Sequence, residues 1–204
     1  MKEKLILLHG ALGSKSQLEE LKLKLSDQFK VYSLNFEGHG GRSSTNRFSI
    51  QLFSENLLAF MKEKSIDSTS IFGYSMGGYV ALNTALLFPD KIEKIFTLGT
   101  KFDWDLEAAQ KEVKMMNPKV IEEKIPHFAD KLRAEHEPLD WKTVMNKTAD
   151  MMLNMGKGAK LFDEDFKKIQ HEVIIGIGSL DAMVSYEESN HVSSLFPNSK
   201  LIKL

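Results

Sequence analysis

Short apolar runs alternate with longer amphipathic segments over most of this chain. Six apolar runs have the length of strands, at 5–8, 30–35, 69–74, 92–98, 172–177 and 200–204. Four segments between them have the length of helices, at 14–28, 50–64, 76–88 and 185–196. Strands that alternate with helices and are apolar on both faces are typical of a parallel sheet. The pattern therefore predicts an α/β fold with a mostly parallel sheet of about six strands flanked by helices.

The segment 103–168 departs from this alternation, because it contains helical patterns and no strand-like run. Its apolar residues recur at helical spacing, first around Leu106 and again from Trp141 onward. We expect a helical lid, inserted in a single domain that covers residues 1–204. The segment also holds a group of methionines, which suit a pliable wall against an acyl group and suit core packing about equally well. They are Met115, Met116, Met145, Met151, Met152 and Met155.

Composition and charge narrow the possible functions. A chain of 204 residues with 42% hydrophobic residues can bury one core and is too short for two ordinary domains. The formal net charge of −1 and the lack of a long basic run argue against nucleic acid as a partner. The absence of cysteine excludes disulfides and thiolate catalysis and is compatible with the cytoplasmic location that we expect. The apolar run 5–8 is too short for a signal peptide or a membrane span.

The pentapeptide Gly73-Tyr74-Ser75-Met76-Gly77 joins a predicted strand to a predicted helix. A serine at the corner of such a G-x-S-x-G motif must adopt a strained backbone conformation, which holds its hydroxyl out of the fold. Ser75 is therefore a candidate nucleophile. The structural alternative is a plain glycine-rich turn of an α/β protein.

A second glycine-bearing turn, His9-Gly10-Ala11-Leu12-Gly13, follows the first predicted strand. Such a turn presents backbone N–H groups, and each donor aimed at the oxyanion of an acyl-transfer intermediate lowers the barrier by about 3 kcal/mol. The backbone N–H groups of Ala11 and Met76 are the candidate donors. An ordinary connection from a strand to a helix is the structural alternative.

Together, this turn and the pentapeptide around Ser75 resemble motifs of the α/β-hydrolase family. Two further stretches are similar to that family: 35–44, which contains Gly38-His39-Gly40, and 176–184, which follows the penultimate strand. The aspartate common at the start of the first stretch is replaced here by Asn35. The resemblance extends over essentially the whole chain and implies an α/β-hydrolase fold with a helical lid over the strand ends.

The resemblance also implies that Asp181 is the acid of a catalytic triad. Its carboxylate would accept the Nδ1–H of a histidine, fix the tautomer and stabilise the imidazolium that forms when the serine loses its proton. Two alternatives stay open. Asp181 would otherwise cap the helix that starts near Ser185, or the acid would be Asp103 or Asp105 after the preceding strand.

The family places its histidine in the loop after the last strand, and the sequence ends on that strand, at Leu204. Of the six histidines, His191 follows Asp181 but falls in the middle of a predicted helix. The other five precede Asp181. We therefore expect the catalytic histidine beyond Leu204.

These residues imply a serine hydrolase that acts on a carboxylic ester or thioester, with a small apolar acyl group, through an acyl-enzyme. The expected partner is a small-molecule substrate. We expect no metal and no cofactor, since the sequence lacks H-E-x-x-H and G-x-x-x-x-G-K-[ST]. Fold does not fix the reaction, so two alternatives remain: a non-catalytic small-molecule receptor or binding protein, and a C–C bond hydrolase or lyase of the same family.

Overall fold

The computed structural model describes residues 2–204 and has a parallel sheet of six strands at its centre. The strand order is β2-β1-β3-β4-β5-β6, and every neighbouring pair is parallel. The strands are β1 (Lys4–Leu8), β2 (Lys30–Ser33), β3 (Thr69–Tyr74), β4 (Ile92–Leu98), β5 (Glu172–Ile177) and β6 (Ser199–Lys203). The predicted fold class is confirmed.

Nine α-helices connect or flank these strands within residues 2–204. They are α1 (Glu19–Leu25), α2 (Ile50–Glu63), α3 (Met76–Leu87), α4 (Leu106–Lys114), α5 (Pro118–Lys124), α6 (Pro126–His136), α7 (Trp141–Gly156), α8 (Asp163–Phe166) and α9 (Tyr186–Leu195). Two short 3-10 helices are formed by Lys15–Leu18 and Pro89–Lys91. None of the helices in this described part of the chain is long and apolar enough to cross a membrane.

The predicted helix 14–28 is wrong in extent. The Ser14 hydroxyl accepts the N–H of Ser16 and starts a 3-10 turn instead of an α-helix. Leu18, with φ −109° and ψ 4°, separates that turn from α1. The α-helix proper is therefore only seven residues long.

The main core lies on one face of the sheet, against α2 and α3. It includes Ile6, Ile71, Phe53, Leu57 and Val80, each at most 1% exposed. A smaller cluster on the opposite face packs α1 and the 3-10 turn before it against Leu5 and Leu7. Because the sheet carries helices on both faces, strands such as β1 and β5 are apolar on both sides after their first residue.

Helices α4 to α8 all lie between β4 and β5 in the sequence, in the segment that lacks strand-like runs. Pro118 and Pro126 are the first residues of α5 and α6, where a missing backbone N–H costs no hydrogen bond. Part of the segment forms its own cluster around Trp141 and Met145. The second half of α7 instead joins the main core, so α7 links the two clusters.

Candidate active site

Ser75 lies at the sharp turn between β3 and α3. Its backbone has φ 50° and ψ −119°, a conformation that residues with a side chain rarely adopt. Hydrogen bonds hold this conformation on both sides. The Ser75 N–H donates to the carbonyl of Leu98 at 2.8 Å, and the Ser75 carbonyl accepts from the Thr100 hydroxyl at 2.9 Å. The serine side chain is therefore fixed at the carboxyl edge of the sheet.

Close contacts around this turn explain why glycines flank the serine. A Cβ at Gly73 would lie 2.4 Å from the Cα of Gly78, and a Cβ at Gly77 would lie 2.4 Å from the carbonyl oxygen of Leu8. Both opposing atoms belong to the backbone and cannot rotate away. The glycines thus allow α3 to cross directly above β3 and β1.

The turn after β1 packs against Ser75. A Cβ at Gly10 would lie 3.3 Å from the Cβ of Ser75. The backbone N–H groups of Ala11 and Met76 donate no hydrogen bond within residues 2–204, and both residues line the same small cavity as Ser75. Since Met76 is the first residue of α3, its N–H has no carbonyl one turn earlier in the helix. Two free donors therefore lie beside the serine.

Two residues at the end of α6 hold the turn after β1. The Nε2–H of His136 donates to the carbonyl of Leu12 at 3.1 Å, and His136 Nδ1 accepts the N–H of Gly40 at 3.1 Å. The neighbouring Glu135 carboxylate accepts the hydroxyls of Ser14 and Ser16. This connection ties α6 to both glycine-bearing loops of the site.

Three histidines are buried beneath these loops: His9, His39 and His136. The ring centroids of His9 and His39 are 5.2 Å apart, and those of His39 and His136 are 5.8 Å apart. Burial lowers the pKa of His9 to about 4 and that of His39 to about 3. Burial also lowers the pKa of His136. The three imidazoles are therefore neutral near pH 7 and bind backbone groups, so they stabilise the loops.

Asp181 lies at the same edge of the sheet as Ser75. One carboxylate oxygen, Oδ1, accepts the N–H groups of Met183 and Val184 at 2.9 and 3.0 Å. The other, Oδ2, is 3.2 Å from the position of a Cβ on Gly99, the residue after Leu98. The aspartate therefore holds its own loop with one oxygen and presents the other towards the end of β4.

The aspartates with alternative roles differ in their contacts. Ser185 caps α9, since its hydroxyl accepts the N–H of Glu188, so Asp181 does not cap that helix. Asp105 caps α4 by accepting the N–H of Ala108 at 2.7 Å. Asp103 lines a different cavity from Ser75.

The remaining three histidines lie outside the cavity at Ser75, and two of them contact other groups. His191 Nε2 is 3.1 Å from Asp163 Oδ2 on the surface, and His171 donates to the carbonyl of Pro89. His127 is exposed on α6. No histidine in the described part of the chain lines the cavity at Ser75.

The cavity at Ser75 is small, with a volume of about 30 Å³, about the share of one water molecule in the liquid. Methionines of α7 form one wall, and Lys101 and Trp104 form another. The lining residues are Ala11, Ile50, Ser75, Met76, Tyr79, Lys101, Trp104, Met151, Met152 and Met155. An acyl group can enter only if the methionine side chains or α7 move.

A larger cavity of about 630 Å³ lies between α8, α9 and the loop after β4, and it shares no lining residue with the cavity at Ser75. Its polar groups include Asp163 and His191, which bind each other. Residues 2–204 contain no group of three or more His, Asp or Glu side chains that could hold a metal ion. The strained turn and its free N–H groups therefore identify the smaller cavity as the candidate active site.

The sequence interpretation did not single out Lys101, Thr100, Glu135 or His136. Thr100 and Lys101 follow β4 directly, and the carboxyl ends of neighbouring parallel strands meet at one edge of a sheet. Their place after β4 could therefore have indicated Thr100 and Lys101 as site residues. The contacts of Glu135 and His136 join residues more than 100 positions apart, and no sequence pattern predicts them.

Comparison with known proteins identifies the family. A relative from Schizosaccharomyces pombe, an abhydrolase domain-containing protein, is 35% identical over 92 residues, which are 44% of this chain and 34% of the relative. The pimeloyl-[acyl-carrier protein] methyl ester esterase of Aliivibrio salmonicida is 26% identical over 110 residues, which are 54% of this chain and 41% of that protein. The matches thus span less than half of the length of these relatives.

Solved structures share the fold at low sequence identity. The 2-hydroxy-6-oxo-6-phenylhexa-2,4-dienoate hydrolase from Rhodococcus superposes with a TM-score of 0.81 at 17% identity, over 100% of this chain and 82% of that one. The model of the alpha/beta hydrolase fold family matches residues 4–140. The chain therefore belongs to the α/β-hydrolase family.

Proposed function

We propose that this protein is a serine hydrolase that cleaves a carboxylic ester or thioester through an acyl-enzyme at Ser75. The observation that carries the proposal is the Ser75 turn, with φ 50° and two free N–H groups beside it. The esterase among its relatives supports an ester as the substrate class.

The proposed first step is attack of Ser75 Oγ on the carbonyl carbon of the substrate. The serine proton passes to a base and then to the leaving alcohol or thiol, and the oxyanion accepts the N–H groups of Ala11 and Met76. Water then attacks the acyl-enzyme and regenerates the serine. Stabilising the oxyanion requires N–H donors in fixed positions. The hydrogen bonds from Glu135 and His136 hold the turn that carries the Ala11 N–H.

We propose Asp181 as the acid that orients the base. Its free oxygen faces Gly99, next to the residue whose carbonyl binds the Ser75 N–H. The proposed base is a histidine outside residues 1–204. The Leu204 N–H donates to the carbonyl of Ile177, and the Leu204 carbonyl accepts the N–H of Ser179. A residue joined to Leu204 would therefore lie beside the loop that carries Asp181.

Residues 103–168, which contain helices α4 to α8, are the proposed lid. Three α7 methionines line the cavity at Ser75, and methionine side chains are flexible enough to change shape around different acyl groups. This wall supports a substrate whose acyl chain is apolar close to the scissile carbonyl.

The test is ester turnover by the chain 1–204, by the full product of its natural gene and by Ser75→Ala in that product. Removing one triad member costs about 10⁴- to 10⁶-fold in turnover. We expect the full product to hydrolyse p-nitrophenyl esters, and both the chain 1–204 and Ser75→Ala to be nearly inactive. Equal rates for the two lengths would refute the proposed base, and an active Ser75→Ala would refute the nucleophile.

A binding protein without catalysis is the second candidate, because no histidine lines the cavity at Ser75 within residues 2–204. It predicts that the full gene product binds small esters and acids but turns over none of them. Cleavage of a C–C bond in a diketone, with no cleavage of esters, would instead indicate a C–C bond hydrolase or lyase of the same family.

A further inference from the structure

Lys101 places a positive charge in the wall of the cavity at Ser75. It follows Thr100, whose hydroxyl binds the Ser75 carbonyl, so its position relative to the serine is fixed by the backbone. The Lys101 side chain is only 16% exposed. Among the residues that line this cavity within the described part of the chain, it alone carries a charge.

The ammonium of Lys101 has no hydrogen-bond acceptor within residues 2–204. Its nearest carboxylate oxygen is Glu188 Oε2 at 3.8 Å, beyond hydrogen-bond distance. The other oxygen, Glu188 Oε1, already accepts the backbone N–H groups of Phe102 and Asp103 at 2.5 and 2.7 Å. Lys101 Nζ also lies 5.9 Å from the centroid of the Trp104 ring. Glu188 and Trp104 therefore position the ammonium without accepting hydrogen bonds from its N–H groups.

The Lys101 side chain as a whole is mostly buried, and an ammonium held at such a place is costly unless a partner accepts its N–H groups. Ion pairing with Glu188 offsets part of this cost, while three N–H donors stay available to a ligand. Three further lining residues are apolar methionines of α7: Met151, Met152 and Met155. The cavity thus combines a nucleophile, an apolar stretch and one cation.

We propose that Lys101 binds an anionic group at the far end of the substrate's acyl chain. This inference rests on the proposed hydrolase function and narrows its substrate class to the ester or thioester of a dicarboxylic acid. One carboxyl group of that acid forms the bond that Ser75 cleaves. The second, ionised, accepts hydrogen bonds from Lys101, and the methylene groups between them contact the methionines after these side chains have moved to admit the chain.

The opposing explanation is that only the aliphatic stem of Lys101 lines the cavity, while its ammonium reaches water. Long basic side chains commonly bury their stems in this way. Lys101→Met separates the two cases, because it keeps an apolar chain of similar length and removes the charge. Lys101→Arg keeps the charge, and Lys157→Met removes an exposed lysine just after α7.

The experiment measures dissociation constants of linear dicarboxylates and of monocarboxylates with equal carbon number by isothermal titration calorimetry. It uses the chain 1–204 and the three variants at neutral pH and low ionic strength. We expect the chain to bind the best dicarboxylate about 10- to 100-fold more tightly than its monocarboxylate, the size expected of a hydrogen bond between charged groups. Lys101→Met should abolish the difference, and an unchanged midpoint of urea unfolding should show that this variant is folded.

Lys101→Arg and Lys157→Met should keep the preference. No preference in the unmodified chain, or an equal preference in Lys101→Met, overturns the assignment. Labelling of Ser75 by a fluorophosphonate in the full gene product tests the hydrolase chemistry separately. A labelled serine without dicarboxylate preference refutes only the anion site, while a Lys101-dependent preference without labelling supports the anion site and refutes the proposed chemistry.

Discussion

Lowering the pH from 7 to 5 should destabilise this protein through its buried histidines. A histidine whose pKa is lowered on folding contributes stability above the unfolded pKa of 6.5, and that contribution is lost as the pH falls towards the folded pKa. Burial sets the folded pKa of His9 near 4 and that of His39 near 3. At about 1.36 kcal/mol per pH unit, His9 and His39 each remove about 2 kcal/mol between pH 7 and pH 5, or about 4 kcal/mol together. His136, whose pKa burial also lowers, adds to this decline.

This pH interval separates the histidines from the carboxylates. Glu37 and Glu135 also have lowered pKa values in the folded protein. Their contribution is present above the unfolded value of 4.5 and is lost mainly as the pH falls below it. The decline between pH 7 and pH 5 therefore reports on the histidines.

The assay is urea unfolding at both pH values, with the free energy of unfolding extrapolated to water. His39→Gln should reduce the decline by about 2 kcal/mol, because it removes one titrating group. Its amide can still donate to the Glu37 carbonyl that His39 Nδ1 binds. His127→Gln, on the exposed side of α6, is the control and should keep the full decline. A decline below about 1 kcal/mol in the unmodified protein, or an unchanged decline in His39→Gln, would refute this reasoning.

Two further substitutions test the turn and the wall of the cavity. Gly77→Ala places a Cβ 2.4 Å from the Leu8 carbonyl oxygen and should reduce the free energy of unfolding by at least 1–3 kcal/mol, about the cost of overpacking. Gly178→Ala, whose Cβ would meet no atom closer than 3.9 Å, should be nearly neutral in the same urea titration, and equal effects would contradict the packing argument. Met152→Glu should change the chain-length preference of the full gene product towards p-nitrophenyl esters, while exposed Met115→Glu should not. An unchanged profile in Met152→Glu would mean that this methionine serves packing alone.

The parts of the fold that the sequence predicted are those set by local pattern. Strands β3, β4 and β5 have the predicted bounds, and β5 is apolar after its first residue, as expected of a strand buried on both faces. The turn at Ser75 was also predicted, since its glycines and its place between a strand and a helix are local features. The helix before β2 was overestimated because the hydrogen bond from the Ser14 hydroxyl to the Ser16 N–H does not appear in an apolar pattern.

The parts that sequence could not supply are contacts between distant residues. Lys101 acquires its possible role from the cavity that α7 closes, and α7 begins forty residues later in the chain. His136 acquires its role from Leu12 and Gly40. The place of Lys101 after β4 indicates only that it lies at the carboxyl edge of the sheet, and a histidine at a helix end is an ordinary feature.

The most direct test of the central claim is the site of covalent labelling by a fluorophosphonate. The full gene product, Ser75→Ala and the control Ser194→Ala, which removes an exposed hydroxyl on α9, would be treated with the probe, digested and analysed by mass spectrometry. We predict a single adduct on Ser75 in the unmodified protein and in Ser194→Ala, and none in Ser75→Ala. An adduct on another residue, or equal labelling of Ser75→Ala, would contradict the assignment of Ser75 as the nucleophile.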